Sequence, residues 1–582
     1  MDEHAVGEPA QSPDSGQTHG QGAPGALPAA GPTSSPGQFG APEFGAPQTM
    51  PAWVGSQQVR AGSAWAPEVL DSAAPSAWSV LPAEADGHGP ARGGRHGRKV
   101  LVAGVTAAAV LFAGGAYAAW SHLNGGGPQP ADVLPASTVA FAEVDLDPSV
   151  AQKLALYNLL RKFPSTSGLR STDKDFGDWL VRRLSEGGST GDALDFGKDV
   201  QPWLGKRFAI AAVPAPAGSA GGGSSIDGVV VVQETDQKAA AAAMDKLRSH
   251  GSPHLGYAFA DGYLVVTPDS TQAAARAVQG AAGAPLASAG TFASDVASLG
   301  SDQVVTAWMD ATKTGQLIKD QMGSLPGVGA GQLDTMLGQT WRGRWALGVH
   351  ATGDAVEMRI RTFGSGSPTK PAAPVQIRHV VPNAFAVLAV SGAGSSVADS
   401  WRRAASMPTY SALAAQAAAA GLRLPDDLEA LLGDQLTVSM GGDPTQQPVV
   451  LAAATSGHPD AGKTVLDKLL TLAGPDAVAG LGISTQVDGD TLYVGSSAEA
   501  VAAGRSGAEA SAVTGSDLFK AAVADPAHAQ AVVYVDLAKL WSTLQASGTQ
   551  PPSPEVLHLK AVGLSAVTTS DGSDVTVRVV VG

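Results

Sequence analysis

The sequence predicts an α+β fold, a duplicated and mostly antiparallel sheet with helices packed on one face. Three observations predict it. VEMRI at Val356–Ile360 and VTVRV at Val575–Val579 alternate apolar with polar or charged residues, the period of a strand with one wet face. Asp-Gly pairs at Asp261-Gly262 and Asp488-Gly489 mark tight turns between neighbouring strands. The same series of segments also occurs twice along the chain.

The recurrence runs in order. DFGKDVQPWLG, from Asp195, precedes KRFAIAAVP, and RLPDDLEALLG, from Arg423, precedes DQLTVSMGG. Val229–Val232 leads into a helix ending at Leu247, and Val449–Ala454 into one ending at Leu470. DGYLVVTPDSTQAAARA, from Asp261, matches DGDTLYVGSSAEAVAAGR, from Asp488. VVTAWMDATKTGQLI, ending at Ile318, matches AVVYVDLAKLWSTL, ending at Leu544. WALGVHATGDAVEMRIRTF, from Trp345, matches VGLSAVTTSDGSDVTVRVVV, from Val562. First strands are expected at Val139–Val144 and Phe385–Val390. The boundaries that follow are repeat 1 at 133–363, a linker at 364–377 and repeat 2 at 378–582.

Composition separates the rest. Residues 1–99 hold 13 of the 39 prolines and no sustained apolar period. They are expected to be disordered, because they bury too little apolar area to offset chain entropy. Val100–Trp120 is 21 residues without a charge. As a helix it spans about 31 Å, the thickness of a bilayer core. Arg92, Arg95, Arg98 and Lys99 lie before it, and the linker at 121–132 has no Lys or Arg. The positive-inside rule therefore expects a cytoplasmic tail, one transmembrane helix and an extracytoplasmic C-terminal part. A cleaved signal peptide, with Ala116-Tyr117-Ala118 as its small-residue site, is the alternative. The net charge of −15 argues against a nucleic-acid partner. The chain has no Cys, hence no disulfide, thiol nucleophile or thiolate metal site.

Several segments carry the resemblance to a known family. They are the basic-flanked apolar segment, LPASTVAFAEVDLDPS from Leu134, DVQPWLG from Asp199 and YVDLAK from Tyr534. Together they resemble the domain-of-unknown-function family numbered three-three-five-two, single-pass membrane proteins of high-GC bacteria. The resemblance extends over Ala131–Gly582. It implies the layout and no activity, cofactor or site residue.

GHPDAGKT, at Gly457–Thr464, matches the phosphate-loop pattern G-x-x-x-x-G-K-[ST], with Gly457, Gly462, Lys463 and Thr464 as its cofactor-binding candidates. The matching segment of repeat 1, ETDQKAAAAAMDKL, has no such loop. Pro459 suits a first helical position, which puts Lys463 inside the helix. The chain's three Asn, at 124, 158 and 383, leave no base-reading motif after it. The expected reading is a helix-capping turn, with no cofactor. Asp145, Asp310 and Asp536 recur at strand ends, either as one carboxylate rim for metal or acid–base work or as turn and cap residues. His250 and His254 are separated by Gly and Pro, which a ligand-bearing helix face does not allow. Asp173, Asp175 and Asp178 lack the glycine and closing Glu of a calcium loop.

The expected function is a non-catalytic binding or scaffold role in the envelope, toward an envelope protein, a lipid or a polymer. The alternatives are an extracytoplasmic hydrolase or a nucleotide-binding protein. A carboxylate cluster in a pocket would favour the enzyme, and an exposed apolar groove would favour lipid or protein binding.

Overall fold

The computed structural model describes residues 128–145, 148–164, 194–216, 226–250, 252–268, 270–323, 341–364, 372–405, 408–443, 446–474, 482–550 and 552–582. The tail, the apolar segment Val100–Trp120 and the acidic segment around Phe176 lie outside them. Among the described residues no helix is long and apolar enough to cross a membrane.

The first part of the chain contributes β1 (Ala140–Asp145), α1 (Val150–Leu160), β2 (Leu204–Pro214), β3 (Ile226–Glu234) and α2 (Gln237–Ser249). It continues with β4 (Gly256–Ala260), β5 (Tyr263–Thr267), α3 (Ala273–Gly283), α4 (Gly290–Ala297), β6 (Val305–Asp310), α5 (Ala311–Gly323), β7 (Arg344–Thr352) and β8 (Ala355–Phe363). Then come β9 (Ala386–Ser391), α6 (Ala393–Ala404), α7 (Pro408–Ala419), α8 (Asp426–Leu432), β10 (Gln435–Gly441), β11 (Val449–Thr455) and α9 (Pro459–Ala473). The last elements are β12 (Ser484–Asp488), β13 (Thr491–Gly495), α10 (Ala498–Arg505), α11 (Ala508–Gly515), α12 (Asp517–Ala522), β14 (Ala531–Asp536), α13 (Leu537–Ala546), α14 (Pro554–Leu557), β15 (Leu559–Thr568) and β16 (Gly572–Val581).

The strands form one 16-stranded sheet in the order β12-β13-β11-β10-β9-β14-β15-β16-β8-β7-β6-β1-β2-β3-β5-β4. Every pairing is antiparallel, as the short turns imply. The β4–β5 turn is the expected Asp-Gly pair, with φ of 47° at Asp261 and 80° at Gly262, as a two-residue hairpin requires. At the centre β16 runs against β8 from Gly572 opposite Phe363 to Val580 opposite Ala355.

Helices lie on both faces of the sheet, which corrects the expectation of one. Val231 packs with Ala274 and Ala277 of α3, and its neighbour Val232 packs with Ala240 and Met244 of α2. Adjacent strand residues point to opposite faces. The second half behaves alike: Tyr493 packs with Ala500 and Val501 of α10, while Leu492 faces Gly462 of α9. The outer strands are therefore buried on both sides and read as apolar runs such as YLVVT, not as alternation. The first face, under α3 and α4 in one half and α10 to α12 in the other, holds the larger cores, including Phe141, Trp308, Val532 and Phe519. On the second face α2 and α9 cover the outer strands, and α1 packs through Leu156 and Leu159 on Val304, Ala351 and Val581.

Charge crosses the central seam on the first face. Arg359 of β8 makes a two-point ion pair with Asp574 of β16, with Nε 3.0 Å from Oδ1. Arg578 Nε donates to Glu357 Oε2 at 2.6 Å. Arg359 is held above its ordinary basicity first by its bond to Asp574. Replacing Arg359 and Asp574 by Ala, singly and together, is expected to give a coupling of about 1 kcal/mol in a urea double-mutant cycle, since the pair is planar and two-pointed but only partly shielded. Additive single effects would mean the pair does not hold the seam.

Candidate functional site

The structure does not bring the three strand-end aspartates together. Asp145 ends β1 and Asp310 ends β6; because these neighbours are antiparallel, the two residues sit at opposite ends of the pair. Asp536 ends β14, on the far side of β7, β8, β16 and β15. Asp310 and Asp536 do the same local work. Asp310 Oδ1 accepts from the Lys313 backbone N–H at 2.9 Å, and Asp536 Oδ1 from that of Lys539 at 3.0 Å. Each carboxylate thereby satisfies an orphan donor at the start of the following helix. Among the described residues no group of three His, Asp or Glu is arranged to hold a metal ion.

Gly457–Thr464 follows β11 through Ser456, Gly457 and His458 alone, and α9 begins at Pro459. Lys463 is the fifth helical residue counted from Pro459, and its Nζ lies 2.7 Å from Asp467 Oδ2 one turn on. Thr464 Oγ1 donates back to the Asp460 carbonyl at 2.8 Å. Gly462 has a packing reason: a Cβ there would stand 2.6 Å from the Ala430 carbonyl of α8. His250 Nδ1 sits 2.8 Å from the Lys246 carbonyl at the end of α2. Gly462→Ala is expected to lower stability by about 1–2 kcal/mol through the displaced helix contact, offset in part by helix propensity. Lys463→Ala should stay within about 0.5 kcal/mol, the worth of an exposed helical ion pair. Chemical denaturation of both variants checks this, and a larger loss for Lys463→Ala would contradict it.

Asp145 belongs to another group. Arg207 of β2, 4% exposed, lies opposite it with Nε 3.5 Å from Oδ2. Arg207 Nη1 donates to the Pro128 carbonyl at 3.2 Å, and Tyr263 Oη donates to the same oxygen at 2.7 Å. This pins the start of the described chain to the first face. Glu143, two residues before Asp145, is enclosed by protein while keeping some contact with solvent. Burial first, then the Asp145 charge, push its carboxyl from 4.5 up to about 8. Burial likewise raises Asp145, against the pull of Arg207. Folded protein thus keeps a proton that the unfolded chain releases above about pH 4.5. Stability from this group falls as pH rises from there to about 8 and is level beyond. Glu143→Gln is expected to raise the Tm by several degrees above pH 8 and to change it little at pH 4.5; equal shifts at both would refute the titration.

The feature that sequence reasoning missed is on the second face. The register sets Phe208, Val144, Val305, Val349 and Met358 directly opposite one another on adjacent strands. The row continues through Val577, Leu564, Val533, Leu388 and Val438. A second row, two residues along each strand, runs from Ile210 through Leu347, Ile360 and Val575 to Val390 and Leu436. Neither row contains a charged or hydrogen-bonding side chain. Every residue of the first row is only partly buried, whereas their first-face neighbours Ala346, Val532 and Ala389 are sealed at 0% exposure. Met358, Val577, Leu564 and Val533 take part in none of the four packed cores. Ten strands at about 4.8 Å spacing make the strip roughly 43 Å long. The described helices flank it at the β2–β3 end through α2, at the β10–β11 end through α9 and along its middle through α1, whose cluster packs against Val305 of the first row.

A smaller cleft of about 270 Å³ lies on the first face, lined by Thr352, Asp354, Ala355, Ala521, Arg578 and Val580. Its one cation, Arg578, is already committed to Glu357.

Residues 100–257 match the model of a family described as protein of unknown function, DUF3352. It is the family that the sequence segments resemble, and the matched stretch runs from the apolar segment through β1, β2, β3 and α2 into β4. No curated protein and no solved structure matches the chain. The DUF3352 match thus names no chemistry, and among the described residues the partly exposed apolar strip is the feature with the clearest capacity to bind.

Proposed function

We propose that this chain is a non-catalytic binding protein of the cell envelope that holds an apolar ligand on its open sheet face. Val100–Trp120 is its single membrane anchor, the Pro-rich tail is cytoplasmic, and the sheet stands outside. Its two halves are diverged copies of one unit. The shared strand order counted inward from either edge of the sheet supports the duplication, as do the paired caps at Asp310 and Asp536. The basic cluster before Val100 and its absence after Trp120 support the orientation.

The observation that carries the reading is the strip. Monomeric proteins rarely leave contiguous apolar surface larger than a few hundred Å² without a partner. Here two rows of apolar side chains cross ten strands, and all but Ala307 keep part of their surface in solvent. Catalysis finds less support, because the candidate carboxylates are dispersed as caps and ion-pair members.

Two measurements test the proposal together. Periplasm-type reporters fused after Gly582 should be active, and cytoplasm-type reporters silent. The full chain should bind a polarity-sensitive apolar dye, and Val577→Asp should weaken that binding at least tenfold with unchanged circular dichroism. Dye binding unaffected by Val577→Asp would remove the strip from the proposal, and a reversed reporter pattern would remove the envelope.

A further inference from the structure

We infer that the occupant of the strip is the acyl chain of a membrane phospholipid, laid across the strands. This rests on the strip being a binding surface and adds the class of ligand.

Composition favours a hydrocarbon over a protein. Protein interfaces draw on Trp, Tyr and Arg as anchors and form about one hydrogen bond per 100–200 Å². The rows have none of those three residues, and the backbone groups beneath them are spent in the antiparallel ladder. Nothing on the strip can fix a partner's orientation, and an acyl chain needs no such fixing. Its affinity comes from area alone, about fourfold per methylene fully removed from water and less on an open face.

Shape agrees. The strip is long and is flanked by helices, each about 10 Å thick, α2 and α9 at its two ends and α1 against Val305. A second rigid copy carries the same flanking helices and has to clear them to reach the floor. A flexible chain lies between them.

Proximity selects the source. Pro128 is fixed to the sheet by Arg207 and Tyr263, and Trp120 ends the apolar segment. The eight intervening steps reach at most about 28 Å. With Val100–Trp120 in the bilayer, the attachment at Pro128, beside the β2 end of the strip, stays within that reach of the membrane surface, where phospholipid acyl chains are the abundant apolar molecules.

The test keeps the full chain in its membrane. The photoreactive residue p-benzoylphenylalanine is placed at Met358 or Val577, and as control at Leu472, an exposed residue of α9. After irradiation, intact-mass and peptide mass spectrometry identify the adducts. Phospholipid adducts at 358 and 577, at least fivefold above those at 472, are expected. Crosslinks to a second copy or to another protein would overturn the lipid reading and leave the binding surface standing. Equal lipid adducts at all three sites, or none while the apolar dye still binds at the strip, would also overturn it. Loss of the dye binding itself is the separate failure of the proposed function.

Discussion

The pairing of β16 against β8 is the constraint on which the rest of the structure depends. It turns two eight-strand arrays into one sheet and sets the register of everything that crosses the middle. Met358 opposite Val577 and Ile360 opposite Val575 make the apolar rows continuous. A slip of one residue would turn every side chain of one strand to the other face and drive Arg359 or Arg578 into the strip. The ion pairs on the first face oppose that slip. Arg359–Asp574 and Glu357–Arg578 form only when the seam is in register, and any misregister leaves partly shielded charges unpaired.

Leaving the two apolar rows partly exposed has a thermodynamic cost. Each apolar side chain left partly exposed forgoes about 0.5 kcal/mol relative to full burial. Over two rows this is comparable to the whole net stability of an ordinary domain. The deficit is made up elsewhere. The outer strands are buried on both faces, and the first face is closed by large residues such as Phe141, Trp308 and Phe519. Among the described residues the first face is sealed by helices in both halves, whereas the middle of the second face carries α1 alongside the partly exposed rows.

Much of the architecture was legible in the residues. Alternation in VEMRI and VTVRV gave strands, and Asp-Gly gave the β4–β5 turn, because both are local effects of backbone geometry. Helices on both faces were not, since a run such as YLVVT is equally consistent with one buried face and a short apolar segment; only Val231 and Val232 meeting different helices separates the cases. The strip was the least legible feature. Its neighbours Val144, Val305, Val349 and Met358 are scattered over more than 200 positions of sequence and become a row only through register. Alternation also led to the assumption that the apolar side of each strand is the packed side, whereas in β8 and β16 both sides meet solvent.

The phosphate-loop pattern and the recurrent aspartates show why a motif needs its scaffold. A phosphate cradle needs several backbone N–H groups wrapping an anion ahead of the helix, with the lysine at its first turn. Between β11 and α9 only three residues intervene, and Pro459 removes one donor where the cradle would begin. Gly462 serves the approach of α8, Thr464 bonds its own helix, and Lys463 pairs along it. Each residue type that the pattern demands has a separate local use here, just as Asp310 and Asp536 have theirs as caps. The strip reverses this relation. No residue in it is distinctive alone, and its capacity comes entirely from the alignment that the β8–β16 seam imposes.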